Sequence, residues 1–268
     1  MERISYAFAD GVTIAKRNVI KIRRVPEILV SVLVTPLIMV LLFAYVFGSS
    51  IDIPGGSYRE FLIGGIFAMT LVFGATFTGA GLAEDMQKGI IDRFRSLPMS
   101  RSAVVFGRTA SDVIYNILSL IIMATAGLLV GWRIHNGIGK ALLGFGLLLL
   151  FAYAVSWIMA YVGLLVPSPE VVNNASMMVI FPLTFVANTF VPAENLAGPL
   201  RTFAEWNPVS AVTHASRGLF GNIPPGTPEP TAWPLQNAVF YTLIWVVIII
   251  AIFAPLAVRR YKRARVKS

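Results

Sequence analysis

The chain has 268 residues, of which 56% are hydrophobic and 13% are charged. Soluble domains usually contain about 45–50% apolar and about 25% charged residues, so this composition indicates a membrane protein. Cysteine is absent, which excludes disulfides, zinc–thiolate sites and cysteine nucleophiles. In a membrane protein a net charge of +9 is more typical of a topology signal than of nucleic-acid binding, and we expect no nucleic-acid partner.

Residues 1–27 are predicted to form an amphipathic helix that lies in the membrane interface. At 100° per residue, its main apolar side chains fall within an arc of roughly 80°. Basic side chains occupy much of the remaining wheel, a pattern typical of helices on an anionic leaflet. The alternative is a solvated helix whose apolar face packs on the rest of the protein. The apolar positions are Ile4, Phe8, Val12, Ala15, Val19 and Ile22.

Six apolar runs follow, and each reaches the length of about 20 residues that a bilayer core requires. Asp112 lies near the inner end of the third run, where a carboxylate can still reach water. The predicted spans are 28–48, 61–83, 109–131, 140–166, 171–191 and 235–258.

The Pro- and Gly-rich stretch 192–233 separates the fifth span from the sixth. It contains two apolar pieces, 196–203 and 209–220, that are too short to span and are predicted to be interfacial or re-entrant helices. The expected fold is therefore an all-α polytopic membrane protein with a six-span domain at 28–258. A basic tail, 259–268, would lie on anionic lipid.

Lysine and arginine are distributed unevenly between the two sides of the predicted membrane domain. One side, which holds both termini and residues 84–108, receives 17 of these 22 residues, and the other side receives 5. The positive-inside rule then places both termini in the cytoplasm. We expect a multi-pass protein of the plasma (inner) membrane.

The segment 84–108 is a charged island between two apolar runs, with five Lys/Arg. Ile90, Phe94 and Leu97 recur at the spacing of one helix face. Pro98 ends this helix, because the residue before a proline is disfavoured in the α conformation. The helix could dock on an external motor, with Phe94 and Ile90 in an apolar cleft. Acids at the rim of the cleft would pair with Arg93, Arg95 and Arg101. The alternative is that these arginines only signal membrane topology.

No energy-coupling site is evident within the chain. The nearest fragment to a Walker-type phosphate loop, 137–141, lacks the earlier glycine and the Ser/Thr after the lysine. His135 and His214 do not have metal-ligand spacing, so no metal site is predicted. The predicted span centres carry no charge, whereas ion-coupled carriers usually keep ionisable groups there. A secondary carrier is therefore disfavoured.

Two motifs carry a family resemblance. The first is the run DRFRSLPMSR at 92–101, preceded by the acids at 84–85 and by Gly89. The second is FVP at 190–192, followed by NPV at 207–209 and ASR at 215–217. With the six-span layout, these motifs resemble the permease subunits of type-2 ABC exporters, close to the daunorubicin-resistance permeases. Glutamate is frequent in that family where Asp92 stands here, and the charge is preserved.

The resemblance implies a division of labour between subunits. Residues 1–27 would be an interfacial connecting helix, the charged island a cytoplasmic coupling helix, and 192–220 the extracellular re-entrant helices. A separate ATP-binding cassette subunit would dock on the coupling helix and hold ATP and Mg²⁺, so this chain would be neither an enzyme nor a cofactor carrier. A second permease chain, identical or homologous, would complete the membrane part among the lipids. The coupling residues would be Ile90, Asp92, Arg93, Phe94, Arg95, Leu97 and Arg101.

The expected function is ATP-driven export of an amphipathic drug or lipid-like molecule. Aromatic and Met-rich span faces suit greasy, variable substrates. For each candidate residue of the substrate pathway, plain helix packing is the alternative role. The candidates are Phe73 and Phe77 on the second span, and Asn173, Asn174, Met177, Met178 and Thr184 on the fifth.

A membrane scaffold or assembly factor that moves no substrate is the alternative function. A scaffold should tolerate changes at Arg93, Phe94 and Arg95, whereas an exporter should lose ATPase coupling.

Overall fold

The computed structural model of the chain describes residue 20 and residues 26–46, 57–91, 103–193, 196–223 and 226–263. These ranges form ten helices and no strand, which confirms the prediction of an all-α protein. The predicted interfacial helix, 1–27, lies almost wholly outside the described residues. In chain order the helices are α1 (Pro26–Val46), α2 (Tyr58–Gly74), α3 (Thr76–Gln87), α4 (Ala103–Leu129), α5 (Gly137–Gly163), α6 (Pro169–Phe185), α7 (Gly198–Trp206), α8 (Pro208–Phe220), α9 (Trp233–Gln236) and α10 (Ala238–Arg263).

Four stretches of the described chain are helical, long and apolar enough to cross a membrane. They are Tyr58–Gln87, which joins α2 and α3, Val104–Leu129 in α4, and the whole of α5 and α10. These stretches correspond to the predicted second, third, fourth and sixth spans, as expected of a multi-pass membrane protein. Helices α1 and α6 cover most of the predicted first and fifth spans.

The predicted second span, 61–83, is not one regular helix. Helix α2 ends at Gly74 and α3 begins at Thr76, with Ala75 between them. The Ala75 N–H still donates to the Leu71 carbonyl at 3.3 Å, so helical hydrogen bonding continues as far as the break. A methyl group on Gly74 would come 2.8 Å from Asn116 Oδ1 of α4. Glycine at the break therefore permits the close approach of α4.

Helix α5 is the centre of the bundle and packs against α2, α3, α4, α8 and α10. At one end its Phe145 ring lies 4.8 Å from the ring of Phe220 on α8. Trp132, which precedes α5, contacts the same ring at 5.3 Å between centroids. At the other end Trp157 packs in an apolar cluster with Tyr261 of α10. Aromatic packing thus holds α5 to its neighbours at both ends of the bundle.

The predicted fifth span, 171–191, is helical only as far as Phe185. Beyond this point, side chains of another helix form the hydrogen bonds that the backbone groups need. The N–H of Asn188 donates to Ser210 Oγ at 2.9 Å, and Arg217 donates to the carbonyls of Asn188 and Thr189. Because buried backbone groups need partners, these contacts let the chain leave the helix before the predicted end.

The crossing of α3 and α5 depends on two facing glycines. A methyl group on Gly163 would overlap the Gly79 carbonyl, and one on Gly79 would come 2.7 Å from the Met159 carbonyl. Because backbone faces backbone here, rotation of a side chain cannot relieve the overlap.

We therefore expect Gly163→Ala to destabilise the chain by about 1–3 kcal/mol through overpacking. The corresponding fall in Tm is roughly 2–12 °C, read from thermal unfolding in detergent. Gly146→Ala is the matched control, because it lies in the same helix and has no neighbouring atom within 4 Å of the added carbon. Equal Tm values for the two variants would contradict the close contact between the backbones of α3 and α5.

Candidate functional site

A cavity of about 410 Å³ lies between α1, the α2–α3 break, α4 and α6. This volume is in the range of small-molecule pockets, about 300–1,000 Å³. None of the described side chains that line it is charged. Its polar groups are Thr70, Thr76, Tyr115, Ser119, Asn173 and Ser176, set among Met39, Phe43, Ile66, Met69, Phe73, Phe77, Met177 and Phe181.

Helix α6 contributes one stripe of its surface to this cavity. Asn173, Met177 and Phe181 recur every four residues, so they lie on one helix face. Ser176 lies beside them, and its hydroxyl donates to the Val172 carbonyl at 2.7 Å, which leaves its oxygen able to accept a hydrogen bond. The face can therefore offer an apolar surface with amide and hydroxyl groups to a bound molecule.

The cavity brings together four of the seven predicted pathway residues, Phe73, Phe77, Asn173 and Met177. The other three predicted residues, Asn174, Met178 and Thr184, do not line it. Met178 is 81% exposed on another face of α6. Thr184 is buried, and its hydroxyl donates to the Ile180 carbonyl at 2.8 Å within its own helix.

Only Ile90 of the predicted coupling residues is described. Helix α3 ends at Gln87, and Gly89 has a φ of 65°, a left-handed conformation that interrupts the helix before Ile90. Ile91 is buried in the cluster that contains Trp157. The start of the charged island is therefore anchored in the bundle. The coupling residues that lie outside the described ranges are Asp92, Arg93, Phe94, Arg95, Leu97 and Arg101.

Asp112 is only 7% exposed, and its Oδ2 has no hydrogen-bond partner within the described ranges. The prediction that this carboxylate reaches water is therefore wrong for this conformation. Helix α4 begins at Ala103, well before the predicted boundary at 109, so Asp112 lies inside the helix rather than at its end.

Arg217 of α8 is 1% exposed and joins three parts of the fold. Its Nε donates to the Phe61 carbonyl in the first turn of α2 at 2.7 Å. Its Nη1 donates to the Asn188 carbonyl at 2.6 Å, and Nη2 donates to the Thr189 carbonyl at 2.9 Å, both in the turn after α6. The guanidinium also lies 3.5 Å from the centroid of the Phe61 ring. We call these four residues the Arg217 cluster.

Charge counting treats Arg217 only as a minor topology charge, and so misses its structural role. The available signal was a single cation within a short, otherwise largely apolar helix. Glycines of α2 make room for the cluster, since a methyl group on Gly64 would come 2.9 Å from Arg217 Cγ.

Burial, and to a lesser extent the Arg217 charge, lowers the pKa of the neighbouring His214 to about 4. That imidazole is therefore neutral near pH 7.

Comparison with known proteins identifies the family. Residues 11–221 match the family described as ABC-2 type transporter. The daunorubicin resistance ABC transporter permease protein DrrB1 of Streptomyces coeruleorubidus is 32% identical over 263 residues, which cover 97% of this chain and 89% of that protein.

Two further relatives are more distant. The probable doxorubicin resistance ABC transporter permease protein DrrC of Mycobacterium tuberculosis is 23% identical over 194 residues, which cover 72% of this chain and 66% of that protein. The putative transport permease ycf38 of Pyropia yezoensis is 23% identical over 211 residues, with coverage of 77% and 72%. The resemblance carried by the two sequence motifs is confirmed, and the chain belongs to the ABC-2 type transporter family of membrane permeases.

Proposed function

We propose that this chain is the permease subunit of an ATP-driven exporter that moves an amphipathic drug or lipid-like molecule outward. The observation that carries the proposal is the match to a drug-resistance permease over nearly the whole chain. The uncharged cavity is compatible with it. Met and aromatic side chains adapt to varied apolar shapes, and the amide and hydroxyl groups of Asn173, Tyr115 and Ser119 would orient a ligand.

The chain's own contribution to energy coupling would come from the charged island. ATP and Mg²⁺ would bind to a separate ATP-binding cassette subunit docked on Ile90, Phe94 and their neighbours. Because Ile91 is buried in the cluster that contains Trp157, a movement at the start of the island would displace the helix bundle. The island would therefore act as the coupling helix.

The proposed topology has six spans, with both termini in the cytoplasm and α7 to α9 on the outer side of the inner membrane. The 17 residues of α6 extend for about 25 Å at about 1.5 Å per residue, and the turn with the Arg217 cluster would complete this crossing. A second permease chain, identical or homologous, would face apolar surface left exposed on the bundle. Ile121 of α4 and Phe185 of α6 belong to such surface.

The test is purification of tagged chain from its native membrane in mild detergent. We expect a roughly stoichiometric subunit with a Walker-type phosphate loop, identified by mass spectrometry. Phe94→Ala/Arg95→Glu should lose this subunit, because it removes the apolar anchor and reverses a rim charge. The matched control is Phe203→Ala/Arg201→Glu, the same residue types on α7.

Recovery of folded chain without any ATPase subunit would overturn the exporter proposal and favour the membrane scaffold. Retention of the subunit by the island variant would refute the docking role of Phe94 and Arg95.

A further inference from the structure

Arg108 belongs to the charged island, yet its side chain crosses from α4 to the inner half of the broken span. Its Nη2 donates to the Phe77 carbonyl in the first turn of α3 at 2.7 Å. The guanidinium lies against Gly81, where a methyl group would overlap it. The position of this cation is therefore defined by α3, which distinguishes it from a side chain that only signals topology.

The Phe77 contact connects the island to the cavity wall. The Phe77 side chain lines the cavity, and its ring lies 5.0 Å from that of Tyr115, another lining residue. Tyr115 stands two turns after Arg108 on the same helix. A movement of the island that displaces α4 relative to α3 would consequently change the shape of the cavity.

The guanidinium is only partly satisfied in this conformation. Its Nε is buried and has no hydrogen-bond partner among the described residues. Asp112, one helical turn further along α4, likewise has a buried Oδ2 without a partner there. Unsatisfied buried donors and acceptors are rare and destabilising, so the two groups have a strong physical reason to meet in another conformation.

We infer that Arg108 is a positioning residue that couples the charged island to the cavity by exchanging the Phe77 carbonyl for the Asp112 carboxylate. In the present state the guanidinium ties α4 to α3. In the second state it pairs with Asp112 within α4, and α3 is free to move. A four-residue spacing on a helix permits this pairing. The inference rests on the proposed function, because it specifies how the partner's movement reaches the ligand site.

The first test measures the distance between α3 and α4 directly in the assembled complex. The natural chain has no cysteine, so spin labels can be placed at Gln87→Cys and Ile114→Cys, both exposed positions. We expect ATP with vanadate to shift the distance between the labels in this background. The shift should be lost in Arg108→Gln, which shortens the side chain and removes its positive charge, and in Asp112→Asn, which removes the second partner's charge. Gly81→Ala should also lose it, whereas Gly146→Ala should keep it.

The second test uses doxorubicin as the probe. Drug-stimulated ATPase should fall by at least about fivefold in Arg108→Gln and Asp112→Asn, while Gly146→Ala should keep both the basal and the drug-stimulated rate of the unmodified chain. The double variant should lose no more drug-stimulated ATPase than Arg108→Gln alone, because both changes prevent the same exchange of partners by Arg108.

If Arg108→Gln, with the partner subunit bound, shows the same ATP-driven change in the distance between the labels as the unmodified chain, this inference is overturned and the exporter proposal stays intact. The exchange would also be contradicted if the loss of drug-stimulated ATPase in the double variant equalled the sum of the losses in the two single variants. Absence of the partner subunit from the unmodified complex would instead overturn the exporter proposal and this inference with it.

Discussion

Replacing Arg217 by methionine should lower the Tm of the purified chain by roughly 5–15 °C. The change removes the donors that the carbonyls of Phe61, Asn188 and Thr189 share in a buried site. Hydrogen bonds to a charged group contribute about 1.5–3 kcal/mol each. Methionine also removes the unfavourable burial of a charge, which offsets part of the loss. The net destabilisation expected is therefore about 2–4 kcal/mol.

Thermal unfolding in detergent measures this effect, and Arg201→Met supplies the matched control. Arg201 pairs with Glu205 on α7 at 2.8 Å, and its side chain is 39% exposed. Such pairs contribute about 0.2–1 kcal/mol, so the control should melt close to the unmodified chain. Arg217→Lys should fall between the two, because an ammonium cannot reproduce the planar guanidinium fork. Equal melting of Arg217→Met and Arg201→Met would show that the Arg217 cluster does not stabilise the fold.

Helices α5 and α10 could be located from the sequence to within a few residues. The physical reason is that a backbone in lipid must satisfy its own hydrogen bonds, so a long uncharged run predicts a helix without knowledge of its neighbours. Helices α7 and α8 are predicted on a different ground, from apolar pieces that are too short to span a bilayer. Their ends are marked by residues that the sequence displays, such as Asn207, whose side chain accepts from the Val209 N–H.

The features that could not be predicted depend on contacts between distant residues. The break at Ala75 lies where α4 approaches Gly74, and the early end of α6 lies where Arg217 and Ser210 of α8 bond to the backbone of Asn188. Asn188 alone gives no sign that α8 will take over its backbone hydrogen bonds. Local patterns predict a helix, but they do not predict where a neighbouring element interrupts it.

The cavity illustrates the same limit at the level of single residues. Helix α6 has large apolar side chains on several faces, so its periodicity does not identify the face that meets the cavity. Asn173 and Asn174 are adjacent and chemically identical, as are Met177 and Met178. Only the packing of α1, α2 and α4 distinguishes the members of each pair.

Because the members of each pair are the same residue type, the neighbour that does not line the cavity is a control for the effect of a substitution on ligand binding. With doxorubicin as the probe for the proposed export of an amphipathic drug, Met177→Ala should weaken binding to the purified complex by about tenfold, because one Met contact with a bound ligand is worth about 1–1.5 kcal/mol. Met178→Ala should leave the Kd nearly unchanged, since Met178 is 81% exposed away from the cavity. Asn173→Leu should weaken binding more than Asn174→Leu.

Fluorescence titration of doxorubicin with complexes in lipid nanodiscs measures the four dissociation constants. The melting temperatures of the four variants should agree, because these side chains are exposed on α6; a binding loss can then be assigned to contact with the ligand. Equal losses within each pair would mean that the drug does not enter this cavity. Losses confined to Met178 and Asn174 would move the binding surface to the outer face of α6, where lipid or a second permease chain would complete it.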